Sequence, residues 1–225
     1  MFKLPLKIDY NRESFIDKIK DFFIYLFFYI MVLFVTGVFL RICDLLIYNK
    51  FSFSFLETFK EVQTRGVKNV SFLFIVLFGP FMEELMFRLP LVLKRINIQI
   101  SLCIFSLYFV GDKITSINFY SFLTWIKIIP IFLIIFFGKY FIQEKYLLLI
   151  KVKYFRMYFA FLSIFFGIVH LTNFYDFIPN QILVFSFLFI IPHIILGGFL
   201  SILRLKYGFF IGLAFHSLYN LIIIL

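Results

Sequence analysis

The sequence is poor in charged residues and in cysteine. Only 15% of its 225 residues are charged, against about a quarter in soluble proteins, whereas 63% are hydrophobic and 24% are aromatic. Its two cysteines, Cys43 and Cys103, lie far apart and form no C-x-x-C motif. These shortages exclude a soluble globular domain, a hydrophilic disordered chain and a disulfide scaffold. The chain is therefore predicted to be an integral membrane protein with one helical domain.

Basic residues outnumber acidic ones, 22 to 12, which gives a net charge of +10. They lie in short stretches between apolar runs, the pattern that orients a protein at the anionic cytoplasmic face of a membrane. Such stretches are too short for a nucleic-acid-binding module, so a lipid bilayer and no nucleic acid is the expected partner. The first apolar run lacks a small-residue cleavage site, which predicts an uncleaved span and no signal peptide.

Seven apolar segments can be marked along the chain. They cover residues 22–40, 69–93, 100–110, 122–141, 154–171, 181–203 and 208–225. Most are near the ~20 residues that a membrane-crossing helix needs. The third is short, and both a tilted span and a re-entrant piece remain open. In segment 51–68, phenylalanines alternate with charged residues, which predicts an interfacial helix.

The predicted fold is an all-α, polytopic transmembrane helix bundle of about seven spans. Residues 1–68 are predicted to contain a cytoplasmic N-terminal stretch, the first span and the interfacial helix, and residues 69–225 the core. With the N-terminus in the cytoplasm, most lysines and arginines outside the apolar segments fall on the cytoplasmic side. This distribution favours a cytoplasmic N-terminus and an external C-terminus.

Ionisable residues inside the apolar segments are the candidates for function. A charged side chain at the centre of a membrane helix costs roughly 2.5–3.5 kcal/mol, so each one needs a reason. The polar residues found there are Glu83, Glu84, Arg88, Lys127, His170, His193, His216 and Asn220. Lys127 is expected to snorkel to the interface and is given no role.

Two adjacent glutamates follow a Gly79-Pro80 pair. Pro80 either opens a half-helix or kinks a continuous one, and the free N–H groups of a helix start favour carboxylates. Glu84 and Arg88 stand at i, i+4 and can pair, whereas Glu83 faces about 100° away. We therefore predict a structural Glu84–Arg88 ion pair and a reactive Glu83. The alternative is an inert buried ion cluster.

The histidines and one asparagine complete the set of candidates. A single membrane histidine is more often a hydrogen-bond partner than a catalyst, which is the role expected for His193. His216 and Asn220 stand at i, i+4 on one helix face. Counted from the cytoplasmic ends of their segments, Glu83 and His216 lie at roughly 15 and 12 Å, and His170 at roughly 24 Å. His170 therefore reaches the other two only if its helix is tilted or starts later.

Three spaced motifs occur in order on separate apolar segments. They are Glu83-Glu84-x-x-x-Arg88, Phe166-x-x-x-His170 and His216-x-x-x-Asn220. Together they resemble the CPBP intramembrane proteases, a family that includes the CAAX-prenyl endopeptidases and bacterial Abi-type membrane proteins. The resemblance covers residue 69 to the C-terminus, and residues 1–68 carry no family signal.

The resemblance implies an endopeptidase that hydrolyses a membrane-associated protein or peptide in a bacterial cell membrane. Glu83 and His170 would activate a water, while His216 and Asn220 would stabilise the oxyanion, in keeping with the chemistry of peptide hydrolysis. Some family members are called metalloproteases. Glu83, His170 and His216 would then be the zinc ligands, and both the zinc and the metal-free mechanisms stay open.

Two other functions compete with hydrolysis. A catalytically silent relative would use the same polar cluster to fix the bundle and would bind a partner, for example as an immunity protein. A small transporter would spread ionisable residues along a path. Here the ionisable residues converge at one depth and no inverted repeat is evident, so transport ranks last.

Overall fold

A computed structural model describes residues 15–69, 71–109, 122–174 and 177–224. Within these residues the regular structure is entirely helical, without a strand, which confirms the predicted all-α class. The predicted cytoplasmic stretch up to residue 14 lies outside the described residues. So do residue 110, the end of the third apolar segment, and residue 225.

The helices follow one another with short connections. They are α1 (Phe15–Phe51), α2 (Phe55–Asn69), α3 (Gly79–Glu83), α4 (Arg95–Phe109), α5 (Phe122–Phe141), α6 (Glu144–Leu149), α7 (Phe155–His170), α8 (Phe187–Tyr207) and α9 (Phe209–Ile224). Two π-helices, Phe74–Phe78 and Glu84–Arg88, flank α3, and a 3₁₀ turn covers Leu89–Leu91. We call residues 74–91 the interrupted segment.

Among the described residues, four helical stretches are long and apolar enough to cross a membrane. They are Ile19–Phe51, Thr124–Phe141, Glu144–Asn173 and Asn180–Tyr207. This indicates a helical membrane protein. The other predicted spans are shorter or divided: α4 has 15 residues, α9 has 16, and the second apolar segment is the interrupted segment.

Three sequence-based expectations need correction. The first helix has 37 residues and extends beyond 22–40 at both ends, because its polar residues leave the backbone hydrogen bonds intact. The fifth apolar segment covers 154–171, whereas the helical structure there begins at Glu144, with exposed lysines such as Lys145 lying over tyrosine rings. Lys127 does not snorkel: its side chain is buried beside α4, where the Ser106 hydroxyl donates to the Lys127 carbonyl.

The amphipathic helix α2 is fixed to the end of α1 by a buried acid. Asp44 Oδ1 accepts the Ser54 hydroxyl at 3.0 Å and the Leu56 N–H at 3.3 Å. Ser54 Oγ in turn accepts the Glu57 N–H at 3.2 Å. These bonds satisfy N–H groups that a helix start leaves free. The apolar face of α2 then packs on α8, through rings such as that of Phe55.

Close packing of α7 against α8 depends on glycines. A Cβ on Gly167 would lie 2.4 Å from Ile194 Cγ1, and one on Gly197 would lie 2.9 Å from Phe166 Cδ1. Without side chains at these positions the two helices approach closely. This crossing brings the end of α7, with His170, against the first third of α8, at His193.

Candidate active site

The two glutamates lie where one type of helix replaces another. The Gly79 N–H donates to the Phe74 carbonyl five residues back, which is π-helical bonding, and Pro80 then stands in the first turn of α3. Glu83 ends α3 and Glu84 begins the second π-helix. The backbone thus stays helical through Pro80 with a π-turn on either side, and π-turns of this kind are frequent at functional sites.

Glu83 lies between two histidines from two different helices. Its Oε2 is 3.4 Å from His216 Nε2 of α9 and 3.8 Å from His170 Nε2 of α7. The Glu83 side chain is 27% exposed and that of His170 is 15% exposed. The interrupted segment, α7 and α9 therefore meet at a carboxylate that a small molecule can reach.

In both His170 and His216, the Nδ1 atom lies next to a hydrogen-bond acceptor, and this fixes the tautomer of the ring. His170 Nδ1 is 2.8 Å from the Phe166 carbonyl oxygen, and His216 Nδ1 is 3.1 Å from Glu84 Oε1. A carbonyl and an ionised carboxylate only accept hydrogen bonds, so we assign the proton to Nδ1 in both rings. Each Nε2 then turns a lone pair toward Glu83. Three acceptor atoms in one place call for a shared proton, a water or a cation.

Glu84 and Arg88 form a buried pair beneath this group. Glu84 Oε1 lies 3.5 Å from Arg88 Nε, and the two side chains are 0% and 1% exposed. The Arg88 guanidinium carbon lies 3.8 Å from the centre of the Phe166 ring, at cation–π distance. The same ring is 4.4 Å from that of His170. Phe166 thus connects the Arg88 motif to the His170 motif.

Asn220 lies one turn beyond His216 but contacts the backbone of another element. Its Nδ2 donates to the Ile75 carbonyl oxygen of the first π-helix at 2.9 Å. The predicted role of Asn220 as an oxyanion donor thus stays a prediction, and the amide already has an acceptor within the chain.

A third histidine adjoins the group although it belongs to none of the motifs. The His193 ring stacks on that of His170, with centroids 4.4 Å apart and planes at 28°. Its Nδ1 donates to the Phe189 carbonyl at 3.1 Å, one turn earlier in α8, so this hydrogen bond lies within its own helix and joins no two helices. The contact between the two rings depends on how α7 crosses α8, which the sequence does not show. The sequence marked His193 only as a histidine that follows a proline within an apolar segment.

The side chains around Glu83 are of the types that bind zinc, but their geometry is not that of a zinc site. Glu83, His170 and His216 offer a carboxylate and two neutral Nε2 atoms, with an acceptor behind each ring. Within the described ranges, however, no group of three or more His, Cys, Asp or Glu side chains has the geometry of a metal site. We therefore derive no step through a metal.

Known proteins offer no further guide to this site. The chain matches no family model, no curated protein and no solved structure, so its motifs and its geometry are the basis on which function has to be inferred.

Proposed function

We propose that the protein is an intramembrane endopeptidase of the CPBP type, which hydrolyses a peptide bond of a membrane-associated protein or peptide. The observation that carries the proposal is the position of Glu83 Oε2, 3.4 and 3.8 Å from the Nε2 atoms of His216 and His170. A carboxylate and two imidazoles around one accessible point are a suitable set for activating water.

The chain's own groups account for each bond change. Glu83 takes a proton from a water as its oxygen attacks the peptide carbonyl carbon, and the carbonyl electrons move onto oxygen. When the tetrahedral intermediate collapses, the C–N bond breaks and the proton passes to the leaving nitrogen, directly or through His170. The proton that Glu83 takes can move onto His216 Nε2, 3.4 Å away, which then donates to the oxyanion before the proton passes on to the leaving nitrogen. Glu84 holds the His216 ring in position through Nδ1.

An apolar groove on the elements that carry two of the site residues would suit a membrane-associated substrate. It has a volume of about 560 Å³ and lies between the interrupted segment and α9, the two elements that carry Glu83 and His216. Its lining includes Phe74, Phe78, Phe81 and Leu213. We propose that apolar side chains of a substrate peptide pack in this groove.

The topology of about seven spans belongs to the same proposal. The interrupted segment, α4 and α9 would cross or enter the bilayer beside the four long helices. We place the N-terminus in the cytoplasm of a bacterial cell, on the side where most basic residues outside the apolar segments fall.

One observation favours a silent binding protein as a second candidate. Glu84, Arg88 and His216 are almost completely buried and join the interrupted segment to α9. Such a cluster would fix the bundle even without hydrolysis. A membrane binding or immunity protein of this fold would need nothing more from these residues.

The replacement of Glu83 by Gln separates the two functions. Glutamine keeps the volume of the side chain but cannot accept the proton of water, so hydrolysis should stop while insertion and abundance stay unchanged. The test is a mass-spectrometric comparison of protein N-termini in membranes from cells that express each variant. New N-termini should appear with the wild type and be absent with Glu83→Gln.

Glu57→Gln is the matched control, because it makes the same chemical change on the exposed face of α2. It should produce the same N-termini as the wild type. If Glu83→Gln still produces them, or if the wild type produces none, the binding function replaces the protease.

A further inference from the structure

We propose that Asn220 is a positioning residue whose side-chain amide replaces the backbone N–H that Pro80 lacks. The bond ties α9 to the interrupted segment and so sets the separation of Glu83 and His216. The catalytic consequence rests on the proposed function, whereas the tie itself does not.

The missing donor follows from the backbone pattern. The Gly79 N–H bonds to the Phe74 carbonyl, five residues back. In the same pattern the next carbonyl, that of Ile75, would receive the N–H of residue 80. Residue 80 is proline and has no N–H. An unpaired carbonyl is costly in an apolar segment, where no water takes the place of the missing donor.

A side chain from α9 fills this place. Asn220 Nδ2 donates to the Ile75 carbonyl oxygen at 2.9 Å. The second π-helix has a similar arrangement, because the Ser101 hydroxyl of α4 donates to the Met86 carbonyl. In both π-helices of the interrupted segment, therefore, a side chain from a neighbouring helix bonds to a backbone carbonyl.

The tie acts on the site because it joins the same two elements. One turn before Asn220, His216 contacts both glutamates of the interrupted segment, at 3.4 Å from Glu83 Oε2 and 3.1 Å from Glu84 Oε1. Loss of the Asn220 bond removes one of the contacts that set the position of α9 along the interrupted segment, and leaves that position to the His216 contacts alone. A shift of about 1 Å in reacting groups can cost on the order of 10²-fold in rate.

Restoring the backbone donor should make Asn220 dispensable. Pro80→Ala provides an N–H at residue 80 for the Ile75 carbonyl. We expect Asn220→Ala to lower kcat by about 10²-fold with little change in KM. Pro80→Ala alone should stay near the wild type, and Pro80→Ala/Asn220→Ala should recover most of the lost rate. An oxyanion donor would give the same loss in Asn220→Ala but no recovery.

Pro192→Ala combined with Asn220→Ala is the matched control. Pro192 lies inside α8, and an N–H there cannot reach Ile75, so this pair should stay as slow as Asn220→Ala. If Pro80→Ala/Asn220→Ala recovers neither rate nor folded yield, the proposal is wrong. It is also wrong if Asn220→Ala behaves as the wild type. If Asn220→Ala does not fold, recovery of folded protein by Pro80→Ala supports the tie.

Two readouts do not depend on hydrolysis. Thermal unfolding of the four variants gives the coupling between positions 80 and 220, and nitrogen NMR of the His216 imidazole reports its contact with Glu83. Suppose that the wild type has no activity, that positions 80 and 220 are coupled, and that the His216 signal shifts in Asn220→Ala and recovers in Pro80→Ala/Asn220→Ala. That result supports the tie and rejects the protease. An active wild type without coupling rejects the tie and keeps the protease.

Discussion

At the scale of single residues, the two adjacent glutamates lie in opposite surroundings. Glu83 is partly exposed beside two imidazole Nε2 atoms, whereas Glu84 is fully buried between Arg88 and His216. Neighbours on a helix point about 100° apart, so one acid can face the cavity while the other faces the core. Glu84 is more than a counter-ion, because it also orients the imidazole that Glu83 contacts.

Removing Glu84 should therefore cost stability as well as activity. Glu84→Ala leaves Arg88 buried without a carboxylate, which typically costs about 3–5 kcal/mol. We expect a lower unfolding midpoint in detergent and lower abundance in membranes. Glu84→Ala/Arg88→Met removes both charges and should regain much of the stability, but not the activity. Wild-type stability in an inactive Glu84→Ala would instead place Glu84 in the chemistry.

At the scale of elements, the site depends on how closely α7 approaches α8. Gly167 faces Ile194 and the Ile190 carbonyl, and this contact lies one turn from His170. The stacked rings of His170 and His193 join the same two helices. The separation of the helices therefore controls where the His170 ring stands relative to Glu83.

A single methyl group at this contact should push the helices apart. A Cβ on Gly167 would lie 2.4 Å from Ile194 Cγ1 and 3.1 Å from the Ile190 carbonyl oxygen. Overpacking of this kind costs about 1–3 kcal/mol, so Gly167→Ala should unfold at lower temperature and hydrolyse more slowly. Gly37→Ala is the matched control, because nothing lies within 4 Å of its Cβ and it is exposed on α1. Equal stability of both variants would contradict the role of Gly167.

Sequence reasoning worked best within one element. The Glu84–Arg88 pairing follows from i, i+4 spacing, whereas the missing N–H of Pro80 left open whether a helix restarts or continues there. Contacts between helices depend on tilt and crossing, which spacing does not encode. Residue counting therefore put His170 well away from the depth of Glu83, whereas the two side chains lie 3.8 Å apart.

The start of α2 shows a signal that sequence reasoning overlooked. Ser54-Phe55-Leu56-Glu57 has the spacing of a capping box, and Ser54 does bond to the Glu57 N–H. Asp44 had no comparable signal, because its bonds to Ser54 and Leu56 span a turn between two helices. The Ile75 partner of Asn220 was equally out of reach, since it depends on the register of a π-helix.

At the scale of the whole molecule, the mechanism can be tested by removing metal. We expect hydrolysis by the purified protein to survive chelation, because Glu83 and two imidazoles suffice to take and pass on a proton. The measurements are zinc content and rate before and after treatment with a chelator. Stoichiometric zinc, lost together with activity and restored with it, would instead make Glu83, His170 and His216 its ligands.

The N-terminal helices are built into the part of the chain that carries the motifs. Tyr29 of α1 stacks on Phe199 of α8 at 4.3 Å, Asp21 pairs with Lys206, and the Phe59 ring of α2 lies 5.9 Å from that of His193. A truncated form that begins at residue 69 would uncover these apolar and aromatic faces of α8. For anyone preparing the protein for reconstitution, the stretch without a recognisable motif is the part that covers His193 and the aromatic face of α8.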